Sequence, residues 1–159
     1  MLNTIIKTPI GNLSISILNG LLVRCKWTVE TAADPMRSSS GSKQDINCLN
    51  TLVRQLKEYF EGNLKQFDLP TDLKGTAFQL KVWKELGEIP YGEKITYSEL
   101  SERIGQPTAC RAVANACGKN PLAIIYPCHR VIGSGNKTGG YTGGVEKKTF
   151  MIKLESENK

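Results

Sequence analysis

The chain reads as an α+β protein: a small β-sheet with one packed helix, then a mainly α-helical part of winged helix-turn-helix type. Three observations predict this. Residues 1–27 alternate apolar and polar side chains between turn dipeptides. Residues 45–60 carry an apolar stripe at helical spacing. From residue 75 onward short, separately capped helical patterns replace strand patterns, and a glycine-rich stretch comes late. At 159 residues the chain can hold one ordinary domain or two small ones.

Ile5-Ile6, Leu13 to Ile17 and Leu21 to Val23 are the strand cores. Pro9-Ile10-Gly11-Asn12 separates the first two. Asn19-Gly20 separates the second pair, and Asn-Gly signals a type I′ hairpin, which needs two residues at positive φ. From Thr28 to Ser42 the composition shifts to Thr, Ala, Asp, Pro, Ser and Gly, which predicts a surface loop. Asp45 is expected to cap a helix running to about Phe60. Ile46, Leu49, Leu52, Val53, Leu56, Tyr59 and Phe60 form its stripe, and core packing is expected of them. Gly62 ends it. Residues 63–74, with Pro70, read as a linker, so the expected domains are 1–74 and 75–159.

The second part opens on Thr76-Ala77-Phe78-Gln79, a capping box in which two side chains satisfy each other's backbone N–H groups. Phe78, Val82, Trp83 and Leu86 share one face. Ile89 to Gly92 turns the chain. Thr96-Tyr97-Ser98-Glu99 is a second capping box, and its helix is expected to end at Gly105. Gln106-Pro107-Thr108 leads to a helix over Ala109 to Cys117, closed by Gly118. Two short helices joined by a Gly-containing turn, followed by a hairpin-like segment from Gly133 to Gly144, resemble a winged helix-turn-helix. The last helix begins near Val145-Glu146, with Phe150, Met151 and Leu154 expected inward and the tail fraying from Ser156.

Composition narrows the class. With 40% hydrophobic and 23% charged residues, and no apolar run near the ~20 residues of a membrane span, a soluble globular protein without membrane contact is expected. No secretory leader pattern opens the sequence. The five cysteines are scattered without a CxxC, and the lone histidine cannot complete a Cys/His zinc site, so no metal or other cofactor is expected. Free thiols suit a reducing compartment: the cytoplasm, or the nucleus in a eukaryote. Net charge is +6, and residues 103–153 hold eight basic residues against a single acid, Glu146. This is either a solvated basic face or a surface for a polyanion, most simply nucleic acid.

The stretch with chemistry in it is Tyr126-Pro127-Cys128-His129-Arg130-Val131-Ile132-Gly133. An apolar run from Leu122 leads in and Pro127 breaks it, so Cys128 is expected to be buried at the end of an extended segment under a closing loop. A thiol is a nucleophile only as thiolate, and a neighbouring imidazole is the usual way to form one. The plainer alternative is a core cysteine beside a satisfied polar residue. The helix over 109–117 carries Cys110, Arg111, Ala114 and Cys117 on one face among small residues. That slim profile suits a DNA groove, and an alanine-rich core helix with one exposed arginine is the alternative. Glu155 could orient the imidazole as the third member of a triad, although an exposed C-terminal glutamate is the plainer reading.

Pro127-Cys128-His129-Arg130-Val131, preceded by Arg111-Ala112-Val113 and Asn120-Pro121 and followed by Gly140-Tyr141-Thr142-Gly143-Gly144, resembles the O6-alkylguanine-DNA alkyltransferases, the methylated-DNA–protein-cysteine methyltransferase family. The likeness is strong over residues 75–155 and compatible, though less specific, over the N-terminal half, for which it implies a ribonuclease H-like sheet and helix. The resemblance implies repair of double-stranded DNA by a monomer. Cys128 would take an alkyl group from O6-alkylguanine once and irreversibly, with O4-alkylthymine a second candidate. His129 would act as base through a water, oriented by Glu155, and Tyr141 would donate toward N3 of the leaving guanine. The backbone of Cys128, Val131 and Thr142 would read the guanine edge. Asn120 would brace the turn after the recognition helix. Arg111 would fill the hole left by the extruded nucleotide, Tyr97 would press on the 3′ phosphate, and Lys148 and Cys117 would lie at the pocket. The zinc site of some relatives is not expected, because Cys25 and Cys48 have no histidine near them. Competing readings are a non-catalytic, alkyltransferase-like lesion binder, in which the acceptor cysteine is replaced; a cysteine hydrolase; and a plain winged-helix transcription factor.

Overall fold

A computed structural model describes residues 1–31 and 41–159. Most of the loop expected over 28–42 therefore lies outside the described residues. The chain divides into two compact units, Met1–Leu73 and Lys74–Lys159.

The first unit is an antiparallel meander in the order β1-β2-β3: Leu2–Thr8, Gly11–Leu18 and Leu21–Thr28. Asn19 (φ 54) and Gly20 (φ 76) both take the left-handed conformation, as a type I′ turn demands. Leu13, Ile15 and Ile17 of β2 are buried on one face. On β3 the pairing jumps from Ser16↔Arg24 to Ile17↔Leu22, so Val23 is bulged out. The extra residue resets the alternation. Leu22 and Cys25 both turn inward while Arg24 stays in solvent.

Helix α1, Lys43–Phe60, covers this sheet, and it corrects two expectations. Its N-cap is Ser42, not Asp45. Asp45 is the third helical residue, and its carboxylate accepts from the Ser42 N–H at 3.2 Å and the Gly20 N–H at 2.6 Å. The carboxylate thus closes the capping box and also holds the hairpin turn. The inward stripe is Cys48, Leu52, Gln55, Leu56 and Tyr59, whereas Ile46 and Val53 are 46% and 44% exposed. Residues 63–73 are not an open linker. Leu22 N–H donates to Pro70 O at 2.9 Å and Asp72 N–H to Leu22 O at 3.0 Å, which adds a short parallel bridge to β3. The buried Gln55 amide pairs with the Asp68 backbone from both ends, at 2.8 and 3.0 Å.

The second unit begins with α2, Ala77–Leu86, closed by the expected Thr76/Gln79 capping box. Val82, Trp83 and Leu86 are buried, each worth roughly 2 kcal/mol on removal from water. A two-residue strand β4, Ile95–Thr96, runs parallel to β5, Val131–Ile132. Helix α3, Tyr97–Arg103, follows β4 directly. Thr96 Oγ1 accepts from Glu99 N–H at 3.0 Å, but the reciprocal half of that box is not made. Helix α4 is Cys110–Gly118, so Gly118 is its last residue rather than its stop. The Trp83 indole donates to Ala116 O at 2.9 Å and pins α2 to α4.

Two further corrections concern the C-terminal third. The glycine-rich segment 133–144 is not a hairpin. Its described structure is a turn over Ser134–Asn136, in which Gly135 (φ 68) and Asn136 (φ 62) take the left-handed conformation, and a loop closed by Gly133 N–H to Lys137 O at 2.7 Å. In helix α5, Val145–Glu157, the buried face is Lys148, Met151 and Glu155, while Phe150 is 41% exposed. A helix that turns a lysine and a glutamate inward needs partners for both.

Candidate active site

The segment between α4 and β5 is wound, not extended as expected. Ile124 takes φ 71, costly for a β-branched residue, although it is buried. Short backbone bonds follow: Ile125 N–H to Ala123 O at 2.8 Å, Tyr126 N–H to Leu122 O at 3.0 Å and Cys128 N–H to Tyr126 O at 2.8 Å. Asn120 holds this winding in shape. Its Nδ2 donates to Tyr126 O at 2.7 Å and its Oδ1 accepts from Leu122 N–H at 3.0 Å. Its side chain also favours the ionised form of the Cys128 thiol. Cys128 thereby starts a 3₁₀ turn, Cys128–Arg130, with all three residues buried.

Burial pushes the Cys128 thiol above its ordinary value, and the Asn120 hydrogen bond and the Lys148 ammonium act against it. His129 is fully buried, with Nε2 2.5 Å from Glu155 Oε2. Burial holds its imidazole below the ordinary value, against the pull of Glu155. Glu155 is buried as well, which overturns the reading of an exposed C-terminal glutamate. Burial alone would raise its carboxyl. The hydrogen bonds and charges of His129 and Arg130 together outweigh burial and bring it down to about 2. Near neutral pH the pair is a carboxylate and a neutral imidazole whose Nε2–H faces the carboxylate. Nδ1 is then the nitrogen with a lone pair for a proton.

A second group gathers around Lys148. Its ammonium is buried, donates to Gly140 O at 3.1 Å and lies 5.7 Å over the Tyr97 ring. Burial lowers its pKa, and the neighbouring Cys128 and Cys117 raise it. Cys117, buried on the inner face of α4, is pushed up to about 12, first by burial and then by Cys128. Tyr97 is also pushed up to about 12, by burial and then by the two thiols, so it stays a neutral phenol. Gly139, at φ 75, leaves room for the Tyr97 ring, which a Cβ there would meet at 3.2 Å.

The remaining candidates sit around these groups. Thr142 Oγ1 donates to Gly118 O at 2.9 Å and joins the glycine-rich loop to the end of α4. Tyr141 is half-buried in the same turn, closed by Gly144 N–H to Tyr141 O at 3.0 Å. Val131 is buried on β5, and its N–H donates to Cys128 O. Arg111 is exposed in the first turn of α4. Its outward neighbours are Ala112, Asn115 and Gly118, whereas Cys117 belongs to the opposite, inner face and not to one face with Arg111 as expected. Among the described residues no cluster of three or more His, Cys, Asp or Glu side chains is placed to hold a metal ion.

Both halves match known family models. Residues 77–157 match the DNA-binding domain of 6-O-methylguanine DNA methyltransferase, and residues 1–73 match its ribonuclease-like domain. The chain belongs to the 6-O-methylguanine DNA methyltransferase family. It is 43% identical to a methylated-DNA–protein-cysteine methyltransferase of Mycobacterium tuberculosis over 94% of this chain and 89% of that one. Against the protein of the same name from Methanosarcina barkeri it is 43% identical, with 97% and 96% covered. Among solved structures, Mycobacterium tuberculosis OGT in complex with DNA superimposes with a TM-score of 0.85 at 40% identity, covering 98% of this chain and 93% of that one. An O6-methylguanine DNA methyltransferase from Methanococcus jannaschii gives 0.71 at 27% identity, covering 98% and 95%.

Within this family's fold, one residue of the site escaped the sequence reading. Arg130 grips Glu155 with a fork, Nε to Oε1 at 2.7 Å and Nη2 to Oε2 at 3.2 Å, and its Nη1 donates to Ile89 O at 2.6 Å. The signal was there. An arginine directly after Cys-His, between an apolar run and a strand, is heading for the interior, and a buried guanidinium needs a carboxylate.

Proposed function

We propose that the chain repairs double-stranded DNA by moving the alkyl group of O6-alkylguanine onto Cys128. The observation that carries this reading is the buried Cys128–His129–Glu155 array in a chain of this family. The nearby exposed arginine on the slim outer face of α4, the basic surplus around it and the DNA complex of the mycobacterial relative support DNA as the partner. The target nucleotide leaves the stack at a cost of a few kcal/mol. Arg111 occupies the space it vacates, and Tyr97, a neutral phenol, steers the 3′ phosphate. The backbone of Cys128, Val131 and Thr142 reads the guanine edge, with Lys148 and Cys117 at the pocket wall.

The chemistry is an in-line displacement at the alkyl carbon. The S–C bond forms as the C–O6 bond breaks. The thiol proton passes through a water to Nδ1 of His129, whose Nε2–H stays on Glu155. Tyr141 gives its proton to N3 of guanine, so the base departs neutral, and the imidazolium proton then restores the phenol. One thiol proton is thus moved to one guanine. The product is a thioether with no route back, so each molecule reacts once.

Intact-protein mass after incubation with a duplex holding O6-methylguanine tests this. One methyl group on Cys128, never more than one equivalent, is expected; a parallel duplex with O4-methylthymine tests the second substrate. Lesion binding without mass gain would assign a non-catalytic lesion binder instead, and a methyl group on another cysteine would refute the acceptor.

A further inference from the structure

We propose that Arg130 is a positioning residue of the alkyl transfer: its guanidinium takes up the charge of the Glu155 carboxylate, so that Glu155 orients His129 without drawing it into the imidazolium form in advance. This rests on the function proposed above.

The geometry is that of a saturated carboxylate. Oε1 accepts from Arg130 Nε at 2.7 Å and from Gly92 N–H at 3.3 Å. Oε2 accepts from His129 Nε2 at 2.5 Å and from Arg130 Nη2 at 3.2 Å. The fork fixes the carboxylate plane, and therefore the direction in which it holds the imidazole. The guanidinium is itself fixed, by Ile89 O at 2.6 Å and by the Tyr91 ring, 5.7 Å from its Cζ.

Charge makes this more than scaffolding. A buried carboxylate 2.5 Å from an imidazole, with no other counter-charge, stabilises imidazolium. An imidazolium has no lone pair for the thiol proton. The charged groups that act on His129 are Glu155 and Lys148 from α5 and Arg130 from its own turn. Tyr91, from the loop after α2, acts on Glu155 and Arg130. Burial does most to keep the ring neutral; among the charges, Glu155 alone favours imidazolium, Arg130 and Lys148 oppose it, and only Arg130 does so in contact with the carboxylate. The same side chain therefore holds Glu155 in place and adds to burial in keeping His129 a base.

His129 is the only histidine in the chain, so its ring gives a single histidine resonance in an NMR pH titration. The wild type should titrate below the ordinary histidine value. In Arg130→Gln the midpoint should rise by about one pH unit or more, and the acid limb of the alkyl-transfer rate should rise with it, since each unit removes about tenfold of the neutral imidazole there. Arg130→Lys returns the charge without the fork. It should bring the midpoint back to within about half a unit of the wild type while still melting lower. An unmoved midpoint in Arg130→Gln, or a moved midpoint with an unmoved acid limb, would overturn the proposal and leave Arg130 a structural residue. So would a wild-type ring that titrates at or above the ordinary value, a measurement that needs no variant to fold. Wild type that gains no alkyl group at any pH would instead refute the reaction itself, whatever the titrations give.

Discussion

Asn120 is where fold and chemistry are most tightly joined, and Asn120→Ala tests the join. The side chain is buried and makes two bonds to the winding that delivers Cys128, Nδ2 to Tyr126 O at 2.7 Å and Leu122 N–H to Oδ1 at 3.0 Å. Alanine removes both partners and leaves the buried Leu122 N–H unsatisfied, at about 1–3 kcal/mol. The half-buried Tyr126 carbonyl recovers part of its loss from water and adds about 1 kcal/mol. The sum is roughly 2–4 kcal/mol, which for a chain of this size lowers Tm by about 5–15 °C. The chemical effect is separate. Asn120 also favours the Cys128 thiolate and opposes the effect of burial on it. A hydrogen bond to a charged group is worth about 1.5–3 kcal/mol, so the alkyl-transfer rate at neutral pH should fall about 10- to 100-fold. Differential scanning calorimetry reads the first effect and single-turnover quench kinetics, at a temperature where the variant is folded, reads the second. Asn120→Asp is the control: it keeps the acceptor for Leu122 but puts a carboxylate against a carbonyl and a thiol, so it should react more slowly still. A variant that melts within about 2 °C of wild type and reacts within a factor of about two would refute the reasoning.

Three more outcomes are expected. Glu155→Gln leaves the buried Arg130 without its counter-charge and should lose about 3–5 kcal/mol in urea denaturation, whereas Glu155→Leu combined with Arg130→Met should lose clearly less; equal losses would show that the ion pair is not what holds the turn. Acidification should destabilise the fold in two windows. Both groups are depressed in the native state, the imidazole of His129 below its ordinary 6.5 and the carboxyl of Glu155 from 4.5 to about 2. Their contributions are therefore complete above the unfolded values and are lost as pH falls, His129 first and then Glu155, the latter worth about 3 kcal/mol. Urea midpoints that rise between pH 7 and pH 5 would contradict this. Gly20→Ala should cost about 1–2 kcal/mol, because φ 76 suits glycine and the added Cβ would meet Gln44 Cβ at 3.2 Å; an unchanged urea midpoint would mean that the turn relaxes freely.

The site was readable only as far as short-range chemistry reaches. Cys128, His129 and Asn120 stand within ten residues of one another, and their residue types name the chemistry. Arg130 was visible in the same stretch, but its partner is 25 residues away on α5, and nothing local to Glu155 distinguishes it from a solvated tail residue. The reading of α5 erred for the same reason. Counting apolar residues turned Phe150 inward, while the structure buries Lys148, Met151 and Glu155, a face chosen by the partners it meets.

By itself the sequence determined what is settled within about four residues: the Asn19-Gly20 turn, the Thr76/Gln79 box, the alternation of β2 and the Cys-His pair. These follow from residue type and local steric limits, even where the folded chain adds a distant partner, as Asp45 does for Gly20 and Glu155 for His129. Tertiary structure alone decided which face of α1 and α5 is inside, that residues 63–73 return to β3, and that one carboxylate serves both an imidazole and a guanidinium. Those outcomes depend on desolvation and on charges that meet only after the chain has folded, so no spacing along it encodes them.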